Sequence, residues 1–209
     1  MGSKIKRCLY VGMGGTGMNA LLHTKKMFVD TYGEVPPMIG FMGIDTDGNQ
    51  YKKTLTSTTG EEISLLPNEQ LPIIVRDPRP IYDVNKEYFS WVPDKNLYAL
   101  SSLNQGAGQV RTNGRFAFTV NYVQVAQKIR SILDQITNAR IINNDKYELL
   151  GSDTEIHMIF SVCGGTGCGT FLNMAYLLRK EAPGCKLTGY AVLPDVFKSM
   201  SNSGMAKVA

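Results

Sequence analysis

The strongest constraint on the fold is a pair of glycine-rich segments, residues 12–17 (GMGGTG) and residues 164–170 (GGTGCGT). Each follows a short apolar run and precedes apolar residues at helical spacing, so each is predicted to connect a buried strand to a helix. Two such units in one chain of 209 residues favour a parallel sheet, because parallel strands need crossover helices between them. Both glycine turns would then lie at the same edge of that sheet.

Glycine-rich turns of this kind are suited to holding an anion through the backbone. Glycine reaches positive φ angles and lets a ligand approach the main chain closely. The free N–H groups at the start of the following helix, together with the helix dipole, favour negative charge. Neither segment contains lysine or arginine, and the chain has no Gly-Lys-Ser/Thr triplet, which excludes a Walker-type loop.

Apolar runs and helical periodicity predict the regular elements. Strands are predicted at residues 5–11, 38–44, 156–162 and 187–193. Helices are predicted from residue 16 or 17 to about 30, as one long helix capped at Thr112 or Asn113 and reaching Ile136, and through residues 171–178. Residues 138–153 are predicted to be a polar connector. This order predicts a three-layer α/β fold, a mainly parallel sheet with helices on both faces.

Ligands of such sheets bind outside the carboxyl ends of the strands. The segments predicted to meet there are the two glycine turns, residues 45–47, residues 106–108 and the pair Pro194-Asp195. Their convergence predicts one binding site at this edge.

Residues 51–105 lack a clear pattern and are interpreted as an insertion between the second strand and the long helix. The segment holds five of the nine prolines and the only tryptophan, Trp91. Its aromatic residues argue against disorder, and a loop of this length is functional or an embellishment of the fold. We expect it to pack on the sheet; the alternatives are that it covers the ligand or contacts another subunit.

Composition and charge exclude several functional classes. The formal net charge of +4 comes without a basic run, so nucleic-acid binding is not expected. No apolar stretch reaches the roughly 18 residues of a membrane span and no signal-peptide pattern is present, so we expect a cytoplasmic protein. The four cysteines match no metal or redox spacing. His23 and His157 are expected to be surface or packing residues, since no partner follows either at a ligand spacing.

Taken alone, the first glycine segment supports an oxidoreductase. The GxGxxG spacing from Gly12 to Gly17 is that of dinucleotide-binding turns, and Asp45 ends the next strand, where a ribose-binding acid stands in such folds. An NAD(P)- or FAD-binding enzyme is therefore one hypothesis. The second glycine segment favours another, because a dinucleotide fold does not require a GGTGxGT turn after a later strand.

The order of these segments resembles the tubulin/FtsZ superfamily. Residues 164–169 resemble its signature loop GGGTG(S/T)G, and residues 12–19 (GMGGTGMN) resemble its first phosphate loop GxGGxGxN. Further segments resemble family motifs in the same order. Residues 44–47 (IDTD) resemble the family's INTD segment, and residues 106–108 with Gly114-Arg115 resemble its GAGxxxxxGR loop. Residues 192–197 (VLPDVF) resemble the segment that follows the family's fifth strand.

This resemblance implies a GTP- or GDP-binding domain of the tubulin/FtsZ type, with Mg²⁺, and self-association of the full-length protein into filaments. It implies nucleotide contacts from Gly12, Gly14, Gly15, Thr16, Asn19, Asp45, Asp47, Ala107, Gly108, Gly164, Gly165, Thr166, Gly167, Cys168, Gly169, Pro194 and Asp195. Within that set, Ala107 and Gly108 would contact the γ-phosphate, and Asp47 would lie near Mg²⁺ through a water molecule.

Several departures from the family pattern indicate a divergent prokaryotic or phage branch. Cys163 replaces the first glycine of the signature, and Cys168 replaces its serine or threonine. Lys198 stands where division proteins carry a ribose-binding glutamate, and the insertion at 51–105 is longer than in those proteins. A thiol at the start of a helix is expected to have a lowered pKa, and bound nucleotide should shield Cys168 from alkylation.

The family carries its base-contacting and catalytic residues in a central helix and a C-terminal domain. Residues 1–209 are therefore interpreted as the nucleotide-binding domain of a longer protein, with the catalytic residues unknown. GTP hydrolysis is expected only when the full-length protein assembles head to tail. A third hypothesis is a cytoskeletal scaffold that binds nucleotide without significant hydrolysis.

Overall fold

A computed structural model describes residues 2–103, 106–139 and 146–197. The strands are β1 (Ser3–Met13), β2 (Ile39–Asp45), β3 (Leu55–Thr56), β4 (Glu62–Ile63), β5 (Gln70–Pro72), β6 (Tyr147–Ser161) and β7 (Lys186–Val192). The α-helices are α1 (Gly14–Tyr32), α2 (Pro78–Val84), α3 (Arg111–Val120), α4 (Tyr122–Thr137) and α5 (Gly165–Glu181). Short 3₁₀ helices occupy Gly48–Lys52, Pro67–Glu69, Asp94–Ser102 and Pro194–Phe197.

A five-stranded parallel sheet in the order β5-β2-β1-β6-β7 forms the centre of the fold. The strands β3 and β4 form a separate antiparallel pair. Because β1, β2 and β6 run in the same direction, their carboxyl ends meet at one edge. The helix α1 begins at that edge directly after β1, and α5 begins there, separated from the end of β6 by three residues. This brings the two glycine segments together.

Helices cover both faces of the sheet. Side chains alternate between the faces of β1, so Cys8 packs in a cluster with Leu21 of α1. Leu9 and Val11 instead pack in a larger cluster with α4 and α5 residues such as Ile129 and Met174. The three-layer α/β architecture predicted from the sequence is confirmed.

The sixth strand begins earlier than the sequence indicates. It starts at Tyr147, inside the predicted connector at 138–153, and pairs with β1 across a register shift between Ile5 and Arg7. Its first half does not pair with β7, because that pairing begins only where Glu155 lies opposite Lys186. Polar residues are tolerated there because that half of the strand is largely exposed. The connector prediction was therefore wrong for residues 147–153.

The single long helix predicted before β6 is two helices, α3 and α4, which meet at Asn121. The Asn121 side chain donates a hydrogen bond to the Ala117 carbonyl at 2.8 Å, so it competes with the backbone for that acceptor and favours a break. The predicted cap at position 112 or 113 was also wrong. Val110 precedes the first residue of α3, and Asn113 lies within the helix, donating to the Ala107 carbonyl at 3.2 Å.

The segment between β2 and α3 packs against the sheet. Within it, β5 extends the sheet beyond β2 with Ile44 opposite Leu71 and Asp45 opposite Pro72. The following apolar residues, Ile73 and Val75, enter the main core. This strand was not predicted from the sequence, because proline is unfavourable in a central strand. It is accommodated here because β5 is the outermost strand of the sheet.

Glycines allow α3 and α5 to cross with their main chains in contact. A Cβ on Gly169 would lie 2.3 Å from the Arg111 carbonyl oxygen and 2.7 Å from the Arg115 nitrogen. A Cβ on Gly114 would lie 2.3 Å from the Gly165 carbonyl oxygen. This crossing fixes the start of α5 against α3 and the loop that precedes it.

We expect Gly169→Ala to lower the free energy of unfolding by roughly 1–3 kcal/mol. The added methyl group would meet main-chain atoms of α3, which cannot move independently of the helix. Urea denaturation of the purified chain measures the effect. Gly184→Ala is the matched control, because a Cβ at Gly184 meets no atom within 4 Å. Equal unfolding midpoints for the two variants would contradict this account of the crossing.

Candidate functional site

A cavity of about 760 Å³ opens at the edge of the sheet where β1, β2 and β6 end. Eleven of the residues singled out from the sequence line it: Gly14, Gly15, Thr16, Asn19, Asp45, Asp47, Ala107, Gly164, Gly165, Thr166 and Gly167. They come from both glycine segments, the turn after β2 and the loop before α3. The cavity is therefore the candidate site, and its volume is within the usual range for small-molecule pockets.

The two glycine turns contact each other through their main chains at the floor of this cavity. Gly14 has a φ of +73°, which favours glycine, and a Cβ there would lie 2.8 Å from the Gly167 nitrogen. A Cβ on Gly167 would in turn lie 2.8 Å from the Met13 carbonyl oxygen. Side chains at these positions would separate the turns.

Both helices that begin at the cavity lack side-chain caps. Met13 precedes α1 and Gly164 precedes α5, and neither makes a side-chain capping hydrogen bond. Neither first turn contains an acidic residue. The first amide groups of a helix have no partner within the helix, so both starts offer donors and positive dipole ends to an anion.

Asp45 is a buried carboxylate that joins the second glycine segment to the turn after β2. Its Oδ1 accepts hydrogen bonds from the Thr166 hydroxyl at 3.2 Å and the Asp47 amide at 3.1 Å. The hydroxyls of Thr46 and Thr166 lie 2.6 Å apart. Burial raises the pKa of Asp45 above its ordinary value, although these hydrogen bonds oppose the shift. The carboxylate therefore fixes the orientation of Thr166 in the cavity wall.

Tyr51 holds the same turn from the other side. Its hydroxyl accepts a hydrogen bond from the Asp45 amide at 2.8 Å and donates to the Gly43 carbonyl at 3.3 Å. Burial raises the pKa of Tyr51, so the phenol stays protonated and keeps its donor role. The turn after β2 is thereby tied to the strand that precedes it.

Asp47, Gln50 and Lys53 form the polar wall of the cavity on this side. Asp47 accepts hydrogen bonds from the Asn49 amide at 2.9 Å and the Gln50 side-chain amide at 3.2 Å. The Asn49 amide bond chiefly lowers the pKa of Asp47, so this carboxylate is ionised at neutral pH. Gln50 Oε1 is buried without a hydrogen-bond partner among the described residues. Among the described residues that line the cavity, Lys53 carries the one positive charge.

The loop before α3 has an unusual backbone. Gly106 and Gly108 have φ angles of +102° and +56°, and Gln109, which lines the cavity, has a φ of +61°. A side chain in the left-handed region is uncommon and is retained where surrounding structure enforces it. The loop packs closely on the start of α5, since a Cβ on Gly165 would lie 2.7 Å from the Ala107 Cβ and 3.0 Å from the Val110 nitrogen.

Six of the predicted site residues do not line the cavity: Gly12, Gly108, Cys168, Gly169, Pro194 and Asp195. Gly12 has a packing role, because a Cβ there would lie 2.5 Å from the Gly17 carbonyl oxygen. Gly169 forms the crossing with α3. Pro194 and Asp195 begin a 3₁₀ helix, and the two residues that follow them line the cavity instead.

Cys168 faces a different environment from the one expected. It lies on the side of α5 that faces α3, and burial raises the pKa of its thiol above the ordinary value. The expected lowering by the helix start was wrong, because desolvation outweighs the opposing effect of Arg111. Cys163 is fully buried, and its amide donates to the Ser161 hydroxyl at 3.1 Å. Lys198 lies outside the described residues.

Cys168 and Gly169 line a second groove of about 630 Å³ between α3 and α5. Trp91 also lines it, and the Arg115 guanidinium lies 4.1 Å over the centre of the Trp91 ring. This groove is lined by no residue of the first glycine segment or of the turn after β2. We therefore assign the candidate site to the first cavity.

Ten further residues line the first cavity without having been assigned a nucleotide contact: Met13, Ala20, Gln50, Lys53, Gly106, Gln109, Ser161, Val192, Val196 and Phe197. Five of them, Met13, Gly106, Val192, Val196 and Phe197, lie inside segments that the sequence had already singled out, and Ala20 and Gln109 directly follow such segments. Gln50 and Lys53 carry no motif of their own. The signal that could have found them is their position a few residues after Asp47, in or directly after the 3₁₀ helix Gly48–Lys52.

Among the described residues, no helix has both the length and the apolar character needed to cross a membrane.

Comparisons with known proteins agree with this geometry. A family profile described as tubulin like matches residues 9–208. The solved structure of CetZ from Methanosaeta thermophila strain DSM 6194 has a TM-score of 0.55 and 14% identity, covering 97% of this chain and 39% of that chain. The GDP-bound monomer of CetZ1 from Haloferax volcanii has a TM-score of 0.56 and 12% identity, covering 95% of this chain and 44% of that chain.

This chain spans less than half the length of either solved relative. A search of curated proteins gave no match. At such low identity the superpositions show a shared fold, whereas the family profile extends over nearly the whole chain. The protein therefore belongs to the tubulin-like family of the tubulin/FtsZ superfamily.

Proposed function

We propose that this chain is the GTP-binding domain of a cytoplasmic, filament-forming GTPase that hydrolyses GTP on head-to-tail assembly. The observation that carries the proposal is the meeting of two uncapped helix starts, those of α1 and α5, at one cavity. Two sets of backbone donors at a short distance fit adjacent phosphates of one nucleotide. The GDP bound to CetZ1 of H. volcanii supports a guanine nucleotide.

The first turn of α1 and the first turn of α5 take different parts of the phosphate chain in this proposal. Gly15 and Thr16 present main-chain donors from one side, and Gly165 to Gly167 present them from the other. Lys53 would supply the positive charge that both glycine segments lack. Gln50 Oε1, the buried acceptor without a described partner, would receive a hydrogen bond from a water molecule or a nucleotide hydroxyl.

The residues present also fit Mg²⁺. This ion binds through one or two carboxylates, waters and substrate phosphates, and Asp47 offers an ionised carboxylate at the cavity wall. When bound, Mg²⁺ would neutralise charge that develops on the phosphates during transfer to water. Asp45 would position the Thr166 hydroxyl and the Asp47 amide through its hydrogen bonds.

The position of Asp45 argues against the oxidoreductase alternative. An NAD(P)- or FAD-binding enzyme would use this acid to bind ribose hydroxyls. Here Asp45 is 3% exposed and one of its oxygens already accepts from Thr166 and Asp47. The second glycine turn also occupies the space beside the first, which favours a mononucleotide held between the two turns.

The described carboxylates of the cavity are poor candidates for activating water. Asp45 is buried in its own hydrogen-bond network, and the pKa of Asp47 is lowered, which makes it a weak base. We propose that the catalytic residues come from the next subunit of the assembled full-length protein. The scaffold alternative, in which nucleotide controls assembly without significant hydrolysis, shares the same cavity.

Gly15→Ala should weaken nucleotide binding without unfolding the chain. The nearest neighbours of the added Cβ would be side-chain atoms of Gln50, at 3.2 Å and beyond. Alanine favours a helix over glycine by about 1 kcal/mol, so the free chain should remain folded. The added methyl group would obstruct the approach of a phosphate to the main-chain amides of this turn. GTP affinity should therefore fall by roughly tenfold or more. Fluorescence titration with labelled GTP and thermal denaturation measure the two effects.

Gly184→Ala serves again as the control and should bind GTP as the wild type does. Wild-type chain should be stabilised by GTP and GDP but not by NAD(P) or FAD in the same thermal assay. Stabilisation by a dinucleotide alone, or unchanged affinity in Gly15→Ala, would contradict the proposed site.

Lys53→Gln should weaken GTP binding by roughly threefold to tenfold, because a charge-assisted contact to phosphate is lost. The loss should shrink at high salt, where the contact is screened. Lys52→Gln is the control: its amine donates to the Asn49 side chain at 3.0 Å, and Lys52 does not line the cavity. Equal affinities for the two variants at low salt would remove Lys53 from the site.

The chain of 209 residues should hydrolyse GTP slowly or not at all when it is free of filaments. Robust phosphate release by the purified, unassembled chain would contradict the need for another subunit. Light scattering of the full-length protein with GTP and with a non-hydrolysable analogue separates a GTPase from a scaffold. Longer-lived filaments with the analogue support hydrolysis, and equal lifetimes support the scaffold.

A further inference from the structure

Three side chains with metal-binding atoms meet on the face of the sheet that carries α1. Cys8 of β1 and Glu155 of β6 are partners in the parallel register, and His157 follows Glu155 by two residues on the same face. One ligand atom from each lies within 4.8 Å of the other two. Cys8 precedes the last residue of β1 by five positions, which places the cluster about 16 Å from the cavity edge.

A thiolate, an imidazole and a carboxylate are the donor types that Zn²⁺ selects, and three protein ligands leave a fourth position for water. In a tetrahedral zinc site the ligand atoms are about 3.5 Å apart. Rotation of the three side chains would bring their ligand atoms, now within 4.8 Å of one another, to that distance. The side chains of His157 and Glu155 are 14% and 15% exposed, so one side of the cluster is open to an entering ion.

The Glu155 carboxylate is already oriented for such a role. Lys6 donates to its Oε1 at 2.6 Å, and the Lys186 amine lies 3.7 Å from the same oxygen. The other oxygen, Oε2, lies 3.6 Å from His157 Nε2. The lysines therefore hold one carboxylate oxygen and leave the second facing the imidazole. Residues that do not contact the metal themselves commonly orient a metal ligand through hydrogen bonds of this kind.

The imidazole of His157 is oriented in the same way. Its Nδ1 lies 3.3 Å from the Tyr190 hydroxyl oxygen, and its ring stacks on Tyr10 with the ring centres 5.0 Å apart. When Nδ1–H donates to Tyr190, Nε2 presents its lone pair towards Glu155. Metal-ligating histidines commonly donate their second ring N–H to such a partner.

We propose that Cys8, Glu155 and His157 form a zinc-type metal site on the α1 face of the sheet. Binding releases the Cys8 thiol proton to solvent, and the resulting thiolate offsets repulsion between the metal ion and the two lysines. The ion would cross-link the central strands β1 and β6. This site is independent of the nucleotide cavity, and its chemistry differs from that of Mg²⁺, which prefers oxygen ligands.

The test is metal binding by the whole chain of 209 residues after treatment with a chelator. Titration with Zn²⁺ against a chromophoric chelator should show one equivalent bound. Co²⁺ should give a thiolate-to-cobalt charge-transfer absorption, which reports the Cys8 ligand directly. Bound Zn²⁺ should raise the melting temperature, because the ion binds the folded state.

Cys8→Ser and His157→Gln should each weaken Zn²⁺ binding by roughly tenfold or more. The matched controls, Cys185→Ser and His23→Gln, remove the same side-chain types elsewhere and should bind as the wild type does. If Cys8→Ser does not fold, His157→Gln and the wild-type Co²⁺ spectrum answer the same question. GTP binding is not part of the readout, so a failure here leaves the proposed nucleotide site untouched.

Absence of stoichiometric Zn²⁺ binding by the wild-type chain would overturn the proposal. Binding that persists unchanged in both Cys8→Ser and His157→Gln would overturn it too, because the ion would then be held elsewhere. A cobalt spectrum without the thiolate band would exclude Cys8 as a ligand.

Discussion

The structure depends on main-chain contact between two glycine turns. Gly14 approaches Gly167, and a Cβ on Gly17 would lie 2.4 Å from the Ile159 carbonyl oxygen. Any side chain at these points would separate the two central strands from the helices that follow them. Because the turns touch, α1 and α5 start at nearly the same place, on opposite faces of the sheet. The cavity exists because two helix starts share one edge without filling it.

Local features of the sequence predicted most of this arrangement. A strand, a glycine turn and a helix are contiguous, so their pattern is visible in a short window, and the parallel sheet follows from its repetition. The features that depend on contacts between particular residues, and not on a local pattern, were not predicted. Asn121 breaks a periodic helix through a bond to one carbonyl, and Pro72 stands in a strand only because that strand is outermost. Cys8 and His157 matched no ligand spacing, because strand register brings them together across most of the chain.

Several features of the cavity oppose stability and are retained. Asp45 is a carboxylate removed from water, and Gln109 has a left-handed backbone conformation. Gln50 carries a buried oxygen without a described partner. A chain optimised only for folding would replace each of them with an apolar or glycine residue. Their clustering at one edge fits the tendency of binding sites to retain locally unfavourable features.

The groove between α3 and α5 has a practical consequence. Trp91 is the only tryptophan of the chain, and the Arg115 guanidinium lies 4.1 Å over its ring. The main-chain nitrogen of Arg115 is also one of the atoms that Gly169 of α5 closely approaches. A displacement of α5 against α3 would therefore move a positive charge relative to the indole, whose emission responds to nearby charge. The protein thus contains an intrinsic optical reporter, one helix crossing away from the second glycine turn, that needs no added label.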